Sequence, residues 1–283
     1  MRATWADLQQ RDEFSHVFMV GCDSHGLQLL VKDLLHLPSI ESVFKKAQSI
    51  ITHFNHSPLQ LAILRDIQME EYGKEMSLLG AVITRWGSQY TMMESIKRSE
   101  SALSRLALRA DVELPNLIRE IIQDDDFWVN LGKLMSLLKL IHEAIQMSES
   151  TRSDLSKVLK RWTSINTHLV DCERFKPFET DLQAYNASRF TLRMEKQVSD
   201  FHWTIFYLDP VNSHLHMTPA IQKRVNKVIQ QYCANPGMAI EEFASFRAKD
   251  GSFYDAACWE YAGDAKQFWR MQVSLTASKK KLY

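Results

Sequence analysis

The chain has 283 residues, and its 34 lysines and arginines balance its 34 aspartates and glutamates. A 45% hydrophobic share with 24% charged residues fits one or two folded domains and excludes global disorder. Zero formal charge excludes a strongly basic protein that holds nucleic acid by bulk electrostatics, though not a local basic patch.

Glycine (9) and proline (7) together reach roughly half their usual share. Tight turns consume both residues, so their scarcity predicts helices joined by short connections. No apolar run reaches the ~18 residues that span a bilayer, so no membrane role is expected. Met1 to Arg11 carries no apolar stretch of the secretory kind. Cys22, Cys172, Cys233 and Cys258 lie far apart without a Cys-x-x-Cys, which predicts free thiols in a reducing intracellular setting.

In chain order, Val17-Phe18-Met19-Val20-Gly21 is an apolar run closed by glycine and predicts a buried strand. Asp23 sits where an N-cap belongs, ahead of Leu27, Leu30, Val31 and Leu34. Pro38 closes that helix or opens the next, whose stripe is Val43, Phe44, Ala47, Ile50, Ile51 and Phe54. After Trp86-Gly87-Ser88, one long helix is expected through Tyr90, Met93, Ile96, Leu103 and Leu106. Asp124-Asp125-Asp126 opens the clearest helix, since acids complement the dipole at a helix start. Its stripe runs from Trp128 to Ile145, and a partner from Ser153 to Leu169 predicts an antiparallel pair. A third helix is expected from Phe178 to Val198. An aromatic stretch, Trp203 to Leu208, ends at Asp209-Pro210. Pro219 starts a helix through Tyr232, and Asn235-Pro236-Gly237 breaks it.

Four constellations bear chemistry. Cys22 and His25 form a Cys-x-x-His pair near a helix start. They read as a buried cysteine with a backbone-bonded histidine, as half of a zinc site completed by His53 and His56, or as a Cys/His catalytic pair. The three aspartates 124–126 point in different directions on a helix, so the helix-start role outweighs metal chelation. Thr84-Arg85-Trp86-Gly87-Ser88 is either a cation–aromatic corner or a phosphate contact. The tail Lys279-Lys280-Lys281 reads as a solvated charge run, with nucleic-acid contact or targeting as the alternative.

Five segments in order resemble the hAT family of DNA transposases. They are Cys22-Asp23-Ser24-His25-Gly26-Leu27-Gln28-Leu29-Leu30-Val31-Lys32-Asp33, with Gln28 where the family has asparagine; Thr84-Arg85-Trp86-Gly87-Ser88; Asp126-Phe127-Trp128, with Glu149-Ser150 and Trp162 following; Tyr207-Leu208-Asp209-Pro210; and Phe268-Trp269. The resemblance implies a ribonuclease-H-like core interrupted by a helical insertion, and two-metal phosphoryl transfer using Mg²⁺ or Mn²⁺ held by three carboxylates. Met1 to Trp5 resembles the stretch just after the family's second aspartate, and no segment after Trp269 resembles its glutamate block. No residue is therefore carried over as catalytic, and no cofactor is expected.

The expected fold class is mainly α: a helical insertion domain, 41–200, attached to an incomplete ribonuclease-H-like α/β core with at most one or two short strands. The core remnants would be 1–40, with a strand at about 16–21, and 201–283. The expected function is that of an inactive transposase-derived fragment, with weak or lost DNA binding. A helical module for protein–protein interaction and a Cys22/His25 zinc protein are the alternatives. Exposed aromatics at 201–207 and 268–269 motivate the interaction module. Self-association or binding to full-length transposase, and nuclear residence, follow from the resemblance.

Overall fold

The computed structural model describes residues 7–8, 10–14, 17–81, 87–150, 154–254 and 257–272. Among them are thirteen α-helices and no strand, so the chain is mainly α. Two compact units divide it. The first comprises Cys22–Ser153 and Thr163–Arg193, and the second Met1–Gly21, Asp154–Trp162 and Met194–Tyr283. This division falls elsewhere than the expected segments 1–40, 41–200 and 201–283, which rest on resemblance.

In the first unit, α1 (Asp23–Leu35) buries Leu27, Leu30, Val31 and Leu34, the three- and four-residue spacing of one helix face. Pro38 occupies the first turn of α2 (Pro38–Asn55), where its missing N–H costs nothing. Pro58 does the same for α3 (Pro58–Tyr72), which ends on Gly73 in the left-handed conformation (φ 69°), its N–H bonded to the Met69 carbonyl.

The long helix expected after Gly87 is two helices, α4 (Ser88–Arg98) and α5 (Glu100–Ala107). Ser99 marks the break. It is fully buried, its hydroxyl bonds back to the Ser95 carbonyl, and it accepts from Gln68 Nε2 at 3.0 Å. Such a back-bond competes with the helix ladder and bends it. The Gln68 Oε1 in turn accepts from the Met76 N–H, and Ser95 Oγ from the Leu79 N–H. Two buried polar groups thus pin the non-helical stretch 75–81.

After the short α6 (Asn116–Gln123), Asp124 precedes α7 (Asp125–Glu149), the longest helix described. It packs most extensively on α1 and α4. The expected pairing with the next helix, α8 (Ser156–Val170), is not its main contact, although His168 reaches the Leu137 carbonyl at 3.0 Å. Periodicity identifies a helix's apolar face but not the partner that covers it. The expected start of α8 at Ser153 lies outside the described residues.

The helix expected from Phe178 to Val198 is present as α9 (Glu179–Tyr185), a π turn over Asn186–Phe190, and α10 (Thr191–Gln197). Asp181 on α9 caps α2 from a distance: its Oδ2 accepts from Ser39 N–H at 2.8 Å and Ser39 Oγ at 2.6 Å. This satisfies one of the donors that every helix start leaves open.

The second unit contains α11 (Asp200–Leu208), α12 (Pro219–Tyr232) and α13 (Pro236–Ala248), with α12 packed on both others. Asn235-Pro236 does break α12, and it also opens α13: Asn235 Oδ1 accepts from the Met238 N–H and Pro236 takes the first turn. The expected strand is not formed. Val17–Gly21 makes no ladder; Phe18 stacks on Phe201 (3.7 Å) and lies 4.1 Å from Tyr232, and the Gly21 carbonyl accepts from Gln197 Nε2. An apolar run without a neighbouring strand meets its backbone and burial needs from side chains instead.

The expected exposed aromatics are also corrected. Tyr207 and Phe268 are buried, Trp203, Phe206 and Trp269 half-buried, and all belong to one cluster around the fully buried Phe246. Phe253, Trp259, Phe268 and Trp269 have ring centroids 5.0–5.8 Å from Phe246, mostly edge-on or tilted. Phe246→Ala is expected to destabilise the second unit by about 3–5 kcal/mol, the usual range for a buried phenylalanine. Denaturant unfolding followed by tryptophan fluorescence checks this, since Trp259 and Trp269 border the cavity it would leave.

Candidate functional site

Helix α1 carries most of the first resembling segment, and its polar residues fall into two contacts. Gln28 Oε1 accepts from the Gly87 N–H at 3.4 Å, which joins the first resembling segment to the end of the second. Gly87 has φ 74°, and a Cβ there would lie 2.8 Å from the His142 ring. Both the left-handed backbone and the close ring demand glycine.

His142 stacks on Tyr90 with ring centroids 4.5 Å apart. The Gln146 amide donates to its Nε2 at 3.0 Å, which places the imidazole proton on Nδ1. That nitrogen is buried without a hydrogen-bond acceptor. His53 Nε2 on α2 is likewise buried and unpartnered.

The second contact is Asp33. Its Oδ2 accepts from Arg193 Nε at 2.6 Å and from the Tyr185 hydroxyl at 3.1 Å, and lies 2.5 Å from an Arg193 terminal nitrogen. Burial, reinforced by the Asp33 carboxylate, pushes the Tyr185 hydroxyl well above the ordinary tyrosine value. Both charged side chains are less than a quarter exposed (23% and 22%). The arrangement ties α1 to the helical run 179–193 across 160 positions of sequence.

The other expected site residues do not converge. Cys22 and His25 are both exposed, and Cys22 is a free thiol rather than a buried one. His56 is exposed and donates through Nδ1 to the Thr52 carbonyl. Among the described residues no three His, Cys, Asp or Glu side chains group as metal ligands. Asp124 meets Lys46 Nζ at 2.8 Å, and that ammonium holds its carboxyl below the usual range. Arg85 and Trp86 lie outside the described residues.

The remaining resembling segments have identifiable local roles. Trp128 donates its indole N–H to the Ile122 carbonyl at 2.7 Å. Asp209 caps the 3-10 turn Pro210–Asn212 through the Val211 N–H. Trp269 Nε1 donates to the Leu208 carbonyl at 3.0 Å, which joins the fourth segment to the fifth. Sequence reasoning missed Tyr185, Arg193 and His142. None belongs to a motif; Tyr185 and Arg193 meet Asp33 at long range, and His142 stacks on Tyr90 of another helix.

Comparison of the chain with protein families, with curated proteins and with solved structures gives no match. Among the described residues no helix is long and apolar enough to cross a membrane.

Two outcomes are expected. Asp33→Asn should destabilise the first unit by about 2 kcal/mol, below the ~3–5 of a fully buried pair because water partly screens this one. Denaturant unfolding measures it, and combining it with Arg193→Gln should cost less than the sum of the two alone. The second concerns pH. Burial holds His53 and His142 below the ordinary imidazole value of 6.5. As pH falls through 6.5 the unfolded chain binds protons that the folded chain refuses, so stability present above that pH is lost below it. The denaturation midpoint should fall between pH ~7.5 and ~5.5, and fall less in His142→Gln.

Proposed function

We propose that this chain is a hAT-transposase-derived helical protein that serves as a packed scaffold and performs no phosphoryl transfer of its own. The meeting of its resembling segments in space supports the reading: Gln28 with Gly87 in the first unit, and Leu208 with Trp269 in the second. Segments that resemble one family in order, and then touch, share a structural reason for their residues. Asp33, the acid of the Lys-Asp pair, is held by Arg193 and Tyr185 as a structural anion. Nuclear residence and association with itself or with a full-length transposase belong to the same reading. A Cys22/His25 zinc role has less support, since two exposed ligands are half of the about four that zinc takes.

The test is incubation of the purified chain with supercoiled plasmid and a labelled DNA duplex in Mg²⁺ or Mn²⁺. Neither nicked plasmid nor joined product is expected. Metal-dependent nicking that co-purifies with the chain overturns the scaffold reading. In a second arm, gel filtration with a full-length hAT transposase is expected to show co-elution, and separate elution counts against the association.

A further inference from the structure

In the first unit, α1 and α2 border a cavity of about 450 Å³, within the ~300–1,000 Å³ typical of small-ligand sites. The buried Leu35 and Phe44 supply apolar wall, and the exposed Lys32, His36 and Gln48 supply polar lining. An apolar cavity of ~150 Å³ holds one benzene ring, so this volume has room for a two-ring body and a polar group.

The polar lining carries several donors and one buried acceptor without a partner, Gln89 Oε1. Its carboxylate, Glu41, is taken by Lys45 at 3.0 Å. Lys32 has no ion pair among the described residues. The Oε1 of Gln28 is taken by the Gly87 N–H, which leaves its amide N–H groups to donate. His36 is held in place by its Nδ1 bond to the Lys32 carbonyl at 2.6 Å. A lysine in the last turn of α1 also complements the helix dipole, but that role does not require a cavity beside it.

We propose that this cavity binds a small organic anion with a flat apolar body, such as an aromatic carboxylate or aryl phosphate. The ring lies on the Leu35–Phe44 wall and the anion meets Lys32 and the glutamine amides. The inference is independent of the transposase reading.

The test is isothermal titration of the full chain with 2-naphthoate and 2-naphthyl phosphate, with neutral 2-naphthamide as the uncharged match. One-to-one binding with Kd below ~1 mM is expected for the anions, and about tenfold weaker binding for the amide. Lys32→Glu should weaken the anions by at least about tenfold, while Lys139→Glu, exposed on α7, should leave them unchanged. Gln48→Trp fills the cavity and should abolish binding of all three probes. Melting midpoints equal to the parent's establish that each variant is folded; should Lys32→Glu fail this, Lys32→Met takes its place. No binding by either anion overturns the proposal, as does binding that survives both the Lys32 and Gln48 changes, or an amide that binds as tightly as the acid.

Discussion

One carboxylate oxygen closes the first unit. Asp33 Oδ2 takes the Arg193 guanidinium and the Tyr185 hydroxyl together. A lone carboxylate so far withdrawn from water would carry a desolvation cost, and a lone guanidinium would do the same. Brought together they offset each other, so the pair contributes little net stability but a strong preference for one arrangement. The Ser39–Asp181 contact acts on the same helical run from α2. With both in place, the register of α9 against α1 and α2 is set by directional bonds as well as by apolar packing.

The second unit solves a different problem. Its core is aromatic, and aromatic rings fix geometry through edge and face preferences that aliphatic side chains lack. Phe246 sits at the centre, and the half-buried Trp259 and Trp269 send their indole N–H groups to the Phe253 and Leu208 carbonyls. Those bonds hold the end of α11 and of the 3-10 turn Gly251–Phe253 against the core. Arg247 stacks 5.0 Å from the Tyr207 ring and donates to the Leu215 carbonyl. Burial lowers its affinity for its proton, yet it remains a cation at any ordinary pH.

How much of this is legible in the sequence depends on the range of the interaction. The stripes of α2, α7 and α12 can be read directly, because a helix's period of 3.6 is written locally. Pro38, Pro58, Pro219 and Pro236 all mark helix starts for a local reason. The break at Ser99 is half legible: serine is common enough in helices, and only the arrival of Gln68 from α3 explains why this one interrupts. The run Val17–Gly21 has the composition of a strand, but strand formation is a property of pairs, and the second member is not found among the described residues. Asp33 could be noticed through its motif, whereas Arg193 and Tyr185 could not, since nothing local distinguishes them from other arginines and tyrosines.

Four of the residues that the family resemblance brings forward are occupied in the structure. Gln28 is bonded to Gly87, Asp33 to Arg193 and Tyr185, Asp209 to the turn it caps, and Trp269 to Leu208. A motif preserved for chemistry would hold its donors and acceptors toward a substrate, with geometry supported from behind. The donors and acceptors of Gln28, Asp33, Asp209 and Trp269 face the protein itself. The groups still open to a ligand include Lys32 of the same segment and the glutamines of the α1–α2 cavity, where an apolar wall and unspent hydrogen-bond donors coincide. Structural use of Asp33 and ligand use of Lys32 do not compete, because α1 presents its buried face to α7 and other polar residues to the cavity. A helix so divided can remain a fixed part of the scaffold while its outer turns change with whatever molecule they come to hold.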